Sequence, residues 1–315
     1  MCTCCRDMND KEDAISKIDP HLASSSSTSP ETDVGPIDIS VILPFYRSAP
    51  QAFSSAFELG AFLEGRGFSW ELLIVDDGGG DFPDQPRFNG WPIRLLRLPR
   101  NRGKGKAVRA GMLAARGKVR VFTDVDLPYG AQFIPIAWQY IVDRGFHVVI
   151  GDRTLPGSEC FEMVGFKRRL ASSLFSFLVS GLVTRRCFDT QCGFKAFRGD
   201  VAKLLFGLSR IERFAFDVEL IHLALTYNLD IKRIPVCLRE NSTSTIRLFR
   251  DSAQTLFDVL RIRYNQLRRV YRSIDLQRLA SRDFELSRKA ALAHHSTHST
   301  AGHPLRRGRR FSPDA

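Results

Sequence analysis

The chain predicts an α/β fold with a mainly parallel sheet flanked by helices, and three observations carry that reading. Short β-branched runs recur between residues 38 and 150. Helical periods alternate with them, which is the pattern of repeated βαβ units. Acidic, glycine-rich or basic turns follow the runs, and open α/β sheets collect their ligands beyond the carboxyl ends of the strands.

The runs place strands at residues 38–43, 71–75, 93–98, 119–123 and 147–150, with helices at 50–65, 104–116, 131–144 and 166–181. Further on, 216–227 is helical by period, and 244–272 reads as an amphipathic helix with seven arginines and two aspartates, suited either to solvent or to anionic lipid. The fold is expected to occupy residues 37–272. Residues 1–36 hold seven acidic and three basic side chains and the run SSSSTSP, so they read as a disordered leader and not as a signal peptide. Residues 273–315 read as helical and then, from about 290, as a basic disordered tail with His294, His295, His298, His303 and RRGRR.

Seven cysteines without even spacing suggest a reduced, cytosolic compartment. The longest apolar stretch, 170–183, is interrupted by Ser172, Ser173, Ser176, Ser180 and Gly181, so no transmembrane helix is expected. A net charge of +12 favours phosphate-bearing partners. It also permits a nucleic-acid-binding protein, but the basic residues gather at strand ends beside carboxylates, with no stacking platform or recognition helix, and no nucleic-acid partner is expected.

The strand-end turns carry the chemistry. Asp76 and Asp77 precede three glycines and can accept from a base or ribose, although acidic-Gly turns are often only turns. Nine Lys/Arg and no acid fill residues 97–120, where Gly103 and Gly105 open a helix whose N–H groups suit a phosphate; the bland alternative is a solvated basic helix. Asp124 and Asp126 follow a buried strand, and alternate residues of an extended segment share a side, so both carboxylates should converge on one hard-oxygen site for Mg²⁺ or Mn²⁺. In the helix expected over 166–181, Arg168 and Ser172 share a face opposite an apolar stripe of Phe166, Leu170, Leu174, Phe177 and Leu178. Such a helix either packs on the core or lies in a membrane interface.

The segments ISVILPFYR, LLIVDDGGG, NRGKGKAVRAGMLAARG, FTDVDLPY, GDR, DTQCGFKAFR and RFAFDVEL occur in the order and spacing of glycosyltransferase family 2. Over about residues 37–270 the chain most resembles the polyprenyl-phosphate sugar synthase branch, the dolichyl-phosphate β-glucosyltransferase type above the mannose synthase type. The resemblance implies a GT-A fold, an inverting transfer to a polyprenyl phosphate and a divalent cation. Carried over, Pro44, Tyr46, Asp76 and Asp77 would hold the base and ribose, with Lys104 near the nucleotide. Asp124 and Asp126 would bind the metal, while Arg153, Arg168 and Ser172 would hold the acceptor phosphate, so that Asp126, Arg153 and Arg168 carry catalysis. The metal turn reads DVDLP here, where glucosyl-type members usually read DADG and mannose synthases DADLQHP. UDP-glucose is the favoured donor, GDP-mannose the second choice, and a family 2 transferase with a soluble or glycan acceptor is the rival reading. The enzyme is expected on the cytoplasmic face of a membrane, peripherally bound. A phosphate monoester is already ionised at neutral pH, so no general base is expected; Asp217 and Glu219, which could face the acceptor, test that expectation.

Overall fold

The computed structural model describes residues 35–84, 86, 88–158, 189–190, 192–239 and 248–299, with side chains of the last stretch described from Gln254 to Leu286. In chain order the elements are β1 (Ile39–Phe45), α1 (Ala49–Leu63), β2 (Trp70–Asp76), β3 (Ile93–Arg97), α2 (Lys104–Ala114) and β4 (Val119–Phe122). They continue with α3 (Phe133–Trp138, running on as a π-helical turn over Gln139–Asp143), β5 (Val148–Asp152), β6 (Lys195–Arg198), α4 (Gly199–Leu208) and α5 (Phe216–Thr226). β7 (Ile231–Pro235), α6 (Leu248–Leu267) and α7 (Ile274–Ser299) complete the order.

All five expected strands are present, and β6, β7 and α4 join them. The helix expected over 166–181 lies outside the described residues, and α7 carries helix through 290–299, part of the stretch expected as tail. That segment retains enough good helix formers to prolong a helix already docked at Leu276 and Leu279.

Seven strands form one sheet in the order β3-β2-β1-β4-β6-β5-β7. Its pairings are parallel except that β6 runs antiparallel to both β4 and β5. Every residue of β1, β4 and β5 is buried, and these strands read as mainly apolar, broken only by Ser40, Arg120 and the closing Gly151 and Asp152. Successive residues nevertheless part company. Ile42, Val75, Phe122 and Phe197 pack with α2, α4 and α5 on one face, whereas Val41, Leu43, Ile74 and Val121 pack with α1 and α3 on the other. No helix among the described residues is long and apolar enough to cross a membrane.

The site follows from this order. The chain reverses its progress across the sheet between β1 and β4, opening a crevice at their carboxyl ends. Because β6 is antiparallel, its amino end arrives at that same edge: Lys195 pairs with Phe122 and Ile150, and Gly151 donates its N–H to the Phe194 carbonyl at 3.0 Å.

Candidate active site

At the donor side, Pro44 is buried within β1 and Tyr46 stands just beyond it, 40% exposed, with the Arg47 guanidinium 5.2 Å from its ring. The Asp76 carboxylate accepts the N–H groups of Gly79 (2.7 Å) and Gly80 (3.0 Å). Asp77 accepts those of Arg102 (3.0 Å) and Gly103 (2.7 Å), stitching the turn after β2 to the loop before α2. Burial pushes the Asp77 carboxyl above its ordinary value, and Asp76 and Glu212 add to the push. Both carboxylates thus fold the protein's own backbone first, leaving the remaining lone pairs of each for a ligand. Gly78, at φ 75°, lies against the backbone of Arg100, so the two loops meet without side chains between them.

The opening turn of α2 is less free than its sequence suggests. Lys106 donates its N–H to both Gly103 and Glu212 carbonyls at 2.9 Å, and Arg102 grips the Glu212 carboxylate with two bonds. A Cβ on Gly105 would lie 2.7 Å from that of Phe216, so glycine there is a packing requirement as well. Lys104 turns inward to pair with Asp124. Burial works against its charge, but Asp124, Asp217 and Asp126 outweigh that and raise its pKa.

Asp124 and Asp126 converge, though by another route than the one expected. Strand β4 ends at Phe122, and the Leu127 N–H closes a turn onto the Asp124 carbonyl at 3.0 Å, so the two aspartates sit on a turn rather than an extended segment. Leu127 takes φ 44°, the left-handed region that favours glycine, and is held there by nearly complete burial. The Ser55 hydroxyl of α1 donates to the Val125 carbonyl and fixes the turn from outside. From below, Gly193 lies so close that a methyl group there would overlap the Asp124 carboxylate. Burial and then the Asp124 charge push the Asp126 carboxyl up; its own backbone N–H and Lys104 only partly compensate. Two crowded, half-buried carboxylates short of positive charge fit a hard divalent cation. Among the described residues no group of three or more His, Cys, Asp or Glu side chains is arranged for a metal, so the two aspartates would need ligand oxygens beside them.

On the acceptor side, Arg153 follows β5 and its guanidinium forks onto Asp189 at 2.6 and 2.8 Å, with its N–H on the same carboxylate at 3.1 Å. That pairing raises the Arg153 pKa; burial alone would raise Asp189, and the arginine reverses it to a lowered one. Tyr129 and Cys192 are buried beside this pair, and burial pushes the Cys192 thiol up to about 11, leaving it an inert thiol rather than a nucleophile. Fully buried Lys195 reaches Asp217 and the Cys192 carbonyl, both at 2.7 Å. Burial also raises the Asp217 and Glu219 carboxyls. Glu219 is turned away from any acceptor, its carboxylate taken by the N–H groups of Arg210 and Ile211 at 2.9 Å and by the Tyr271 hydroxyl.

Pro44, Tyr46, Asp76, Asp77, Lys104, Asp124, Asp126 and Arg153 therefore gather along one sheet edge, while Arg168 and Ser172 lie outside the described residues. Sequence reasoning missed Asp189 and Ser55. Asp189 stood inside the motif DTQCGFK, whose leading charge was the available signal; Ser55 in its helix carried none.

The pattern of "Glycosyl transferase family 2" matches residues 40–206. The dolichyl-phosphate β-glucosyltransferase of Dictyostelium discoideum is 34% identical over 74% of this chain and 76% of that protein. The Drosophila melanogaster protein of the same name is 33% identical over the same shares. Among solved structures, glucosyl-3-phosphoglycerate synthase of Mycobacterium tuberculosis with Mn²⁺, UDP-glucose and phosphoglyceric acid superposes with a TM-score of 0.52 at 18% identity, covering 72% of this chain and 79% of that one. At that identity the likeness speaks for the GT-A fold. With the family pattern spanning more than half of it and relatives a third identical over about three quarters of their length, the chain belongs to glycosyltransferase family 2 and is a glycosyltransferase.

Proposed function

We propose that the enzyme transfers glucose from UDP-glucose to a dolichyl or related polyprenyl phosphate, with inversion and with Mg²⁺ or Mn²⁺, at the cytoplasmic face of a membrane. The observation that carries this reading is the antiparallel β6, which brings Gly193 under Asp124 and Asp189 onto Arg153, so that the donor and acceptor halves share one edge. Support for the substrates comes from the names of the relatives, and for the cation from the charge deficit around Asp126.

In this reading Asp124 and Asp126 would hold the cation, which would supply counter-charge to the leaving diphosphate. Lys104 keeps a positive charge beside the nucleotide, and Asp77 holds the two donor loops in register. An acceptor phosphate oxygen attacks C1 of the sugar from the face opposite the diphosphate, the C1–O bond breaks, and its electron pair leaves with UDP. No proton has to move, because the phosphate monoester is already ionised. Asp217 and Glu219 are spent on Lys195 and on backbone, consistent with a transfer that needs no base. Asp189 takes one edge of the Arg153 guanidinium and holds it in place, so the remaining N–H groups would face an acceptor phosphate, with Arg168 and Ser172 completing the expected cradle.

The test is an incubation of the full chain with radiolabelled UDP-glucose, dolichyl phosphate and Mn²⁺. Label should pass into the organic phase and disappear with EDTA. Label appearing only from GDP-mannose would overturn the sugar assignment, and transfer only to water-soluble acceptors would overturn the lipid one.

A further inference from the structure

We propose that the outer face of α6 is a membrane-docking surface for an anionic bilayer. The inner face of α6 is already committed: Val259 and Ile262 pack into the core, and buried Asp258 lies beside Arg261 and Arg213. What remains outside is not the polar face a surface helix normally shows. Leu256, Phe257, Leu260, Tyr264 and Leu267 are all exposed, Phe257 by 63% and Leu267 by 77%. At about 100° per residue these five fall within roughly 100° of arc, one continuous apolar stripe. Isolated exposed apolar residues are ordinary, but five on one helical face mark a contact surface.

Charge identifies the occupant. Exposed Arg263 borders one side of the stripe and exposed Arg261 and Arg268 the other, with Arg269 and Arg272 in the turn that follows. Between residues 254 and 272 the single acid, Asp258, is buried on the inner face. An apolar stripe edged on both sides by arginines matches a bilayer boundary: the apolar side chains enter the acyl region while the guanidinium groups stay among anionic headgroups. The inference deepens the proposed function, on which it rests for its purpose, because a lipid-borne acceptor is reached only by an enzyme held at the bilayer.

The experiment uses the full chain and phosphatidylcholine vesicles with and without about one third phosphatidylserine. Wild type should float with the anionic vesicles and be released by salt. Leu260→Glu combined with Leu267→Glu should weaken flotation at least ~10-fold, and Arg263→Glu combined with Arg268→Glu should abolish the preference for anionic vesicles. Both variants should transfer glucose to a short-chain polyprenyl phosphate in detergent within about twofold of wild type. Unchanged flotation of the Leu variant overturns the proposal. So does a wild-type dimer that the Leu variant splits, which would make the stripe an interface between copies. A large fall in the variant's melting temperature would show the stripe covered by the chain itself and overturn it too. Failure of wild type to use any polyprenyl phosphate, with flotation as expected, would sink the proposed function and leave the docking surface standing.

Discussion

The two ends of the sheet treat a buried carboxylate in opposite ways. At the amino end of β2, Glu71 is wholly buried and wholly answered: the Ser40 hydroxyl and the Arg116 N–H each bond it at 2.7 Å, and Arg94 reaches it at 3.0 Å. Burial alone would raise its pKa, yet these partners bring it below the ordinary value. At the carboxyl end, Asp126 is half-buried beside a second aspartate and its pKa is raised. Glu71 stabilises the fold when ionised, whereas ionisation of Asp126 costs stability. A carboxylate already satisfied by its surroundings belongs to the architecture, and one left short of charge marks where a ligand belongs.

Asp126→Asn should have the largest effect. Transfer should fall at least ~10³-fold, about 4 kcal/mol in the barrier, while the melting temperature stays level or rises. Mn²⁺ should raise the melting temperature of wild type and leave that of the variant unmoved. A variant retaining a tenth of the rate would break the contrast between the two ends.

Glu71→Ala should show the reverse: about 3 kcal/mol of stability lost, roughly 6–12 °C in melting temperature, with the rate of the folded fraction unchanged. The contrast sharpens with pH. Because the folded pKa of Glu71 is depressed, its contribution is complete above the ordinary value of 4.5 and is lost as pH falls through the folded value. Unfolding free energies of wild type and Glu71→Gln should therefore converge in acid; a gap that stays constant down to pH ~3 would refute the assignment. The smallest effect belongs to Ser55→Ala, which frees the Val125 carbonyl and should slow transfer by no more than ~10-fold, about one hydrogen bond's worth.

The expected strands were legible because apolar, largely β-branched residues outnumber the polar ones that interrupt them, such as Glu71, Arg94 and Arg120. β6 and β7 were not, since KAFR and IKRIP are short and charged; only the fold reveals that Lys195 is buried against Asp217. In the site, residue types were readable and geometry was not. DVD looks like a strand's continuation, and nothing local announces that Leu127 enters a left-handed conformation and bends it into a turn. Arg153 was identified without its partner, because Asp189 is 36 residues away and is delivered by the strand that went unread.

The placement of β6 also imposes an order in time. β6 is made after β5 but lies between β4 and β5 in the sheet. During synthesis β4 therefore keeps an unpaired edge until residue 198 has emerged, 76 residues after Phe122. At about 5–20 residues per second that is ~4–15 s. Through that interval the half-sheet carrying Asp76, Asp77, Asp124 and Asp126 exposes an open strand, a template for pairing with another nascent chain. The segment that finishes the catalytic edge is thus also the one that ends the chain's exposure to misassembly, so slow translation ahead of residue 195 should lower the yield of soluble enzyme more than slow translation after residue 198.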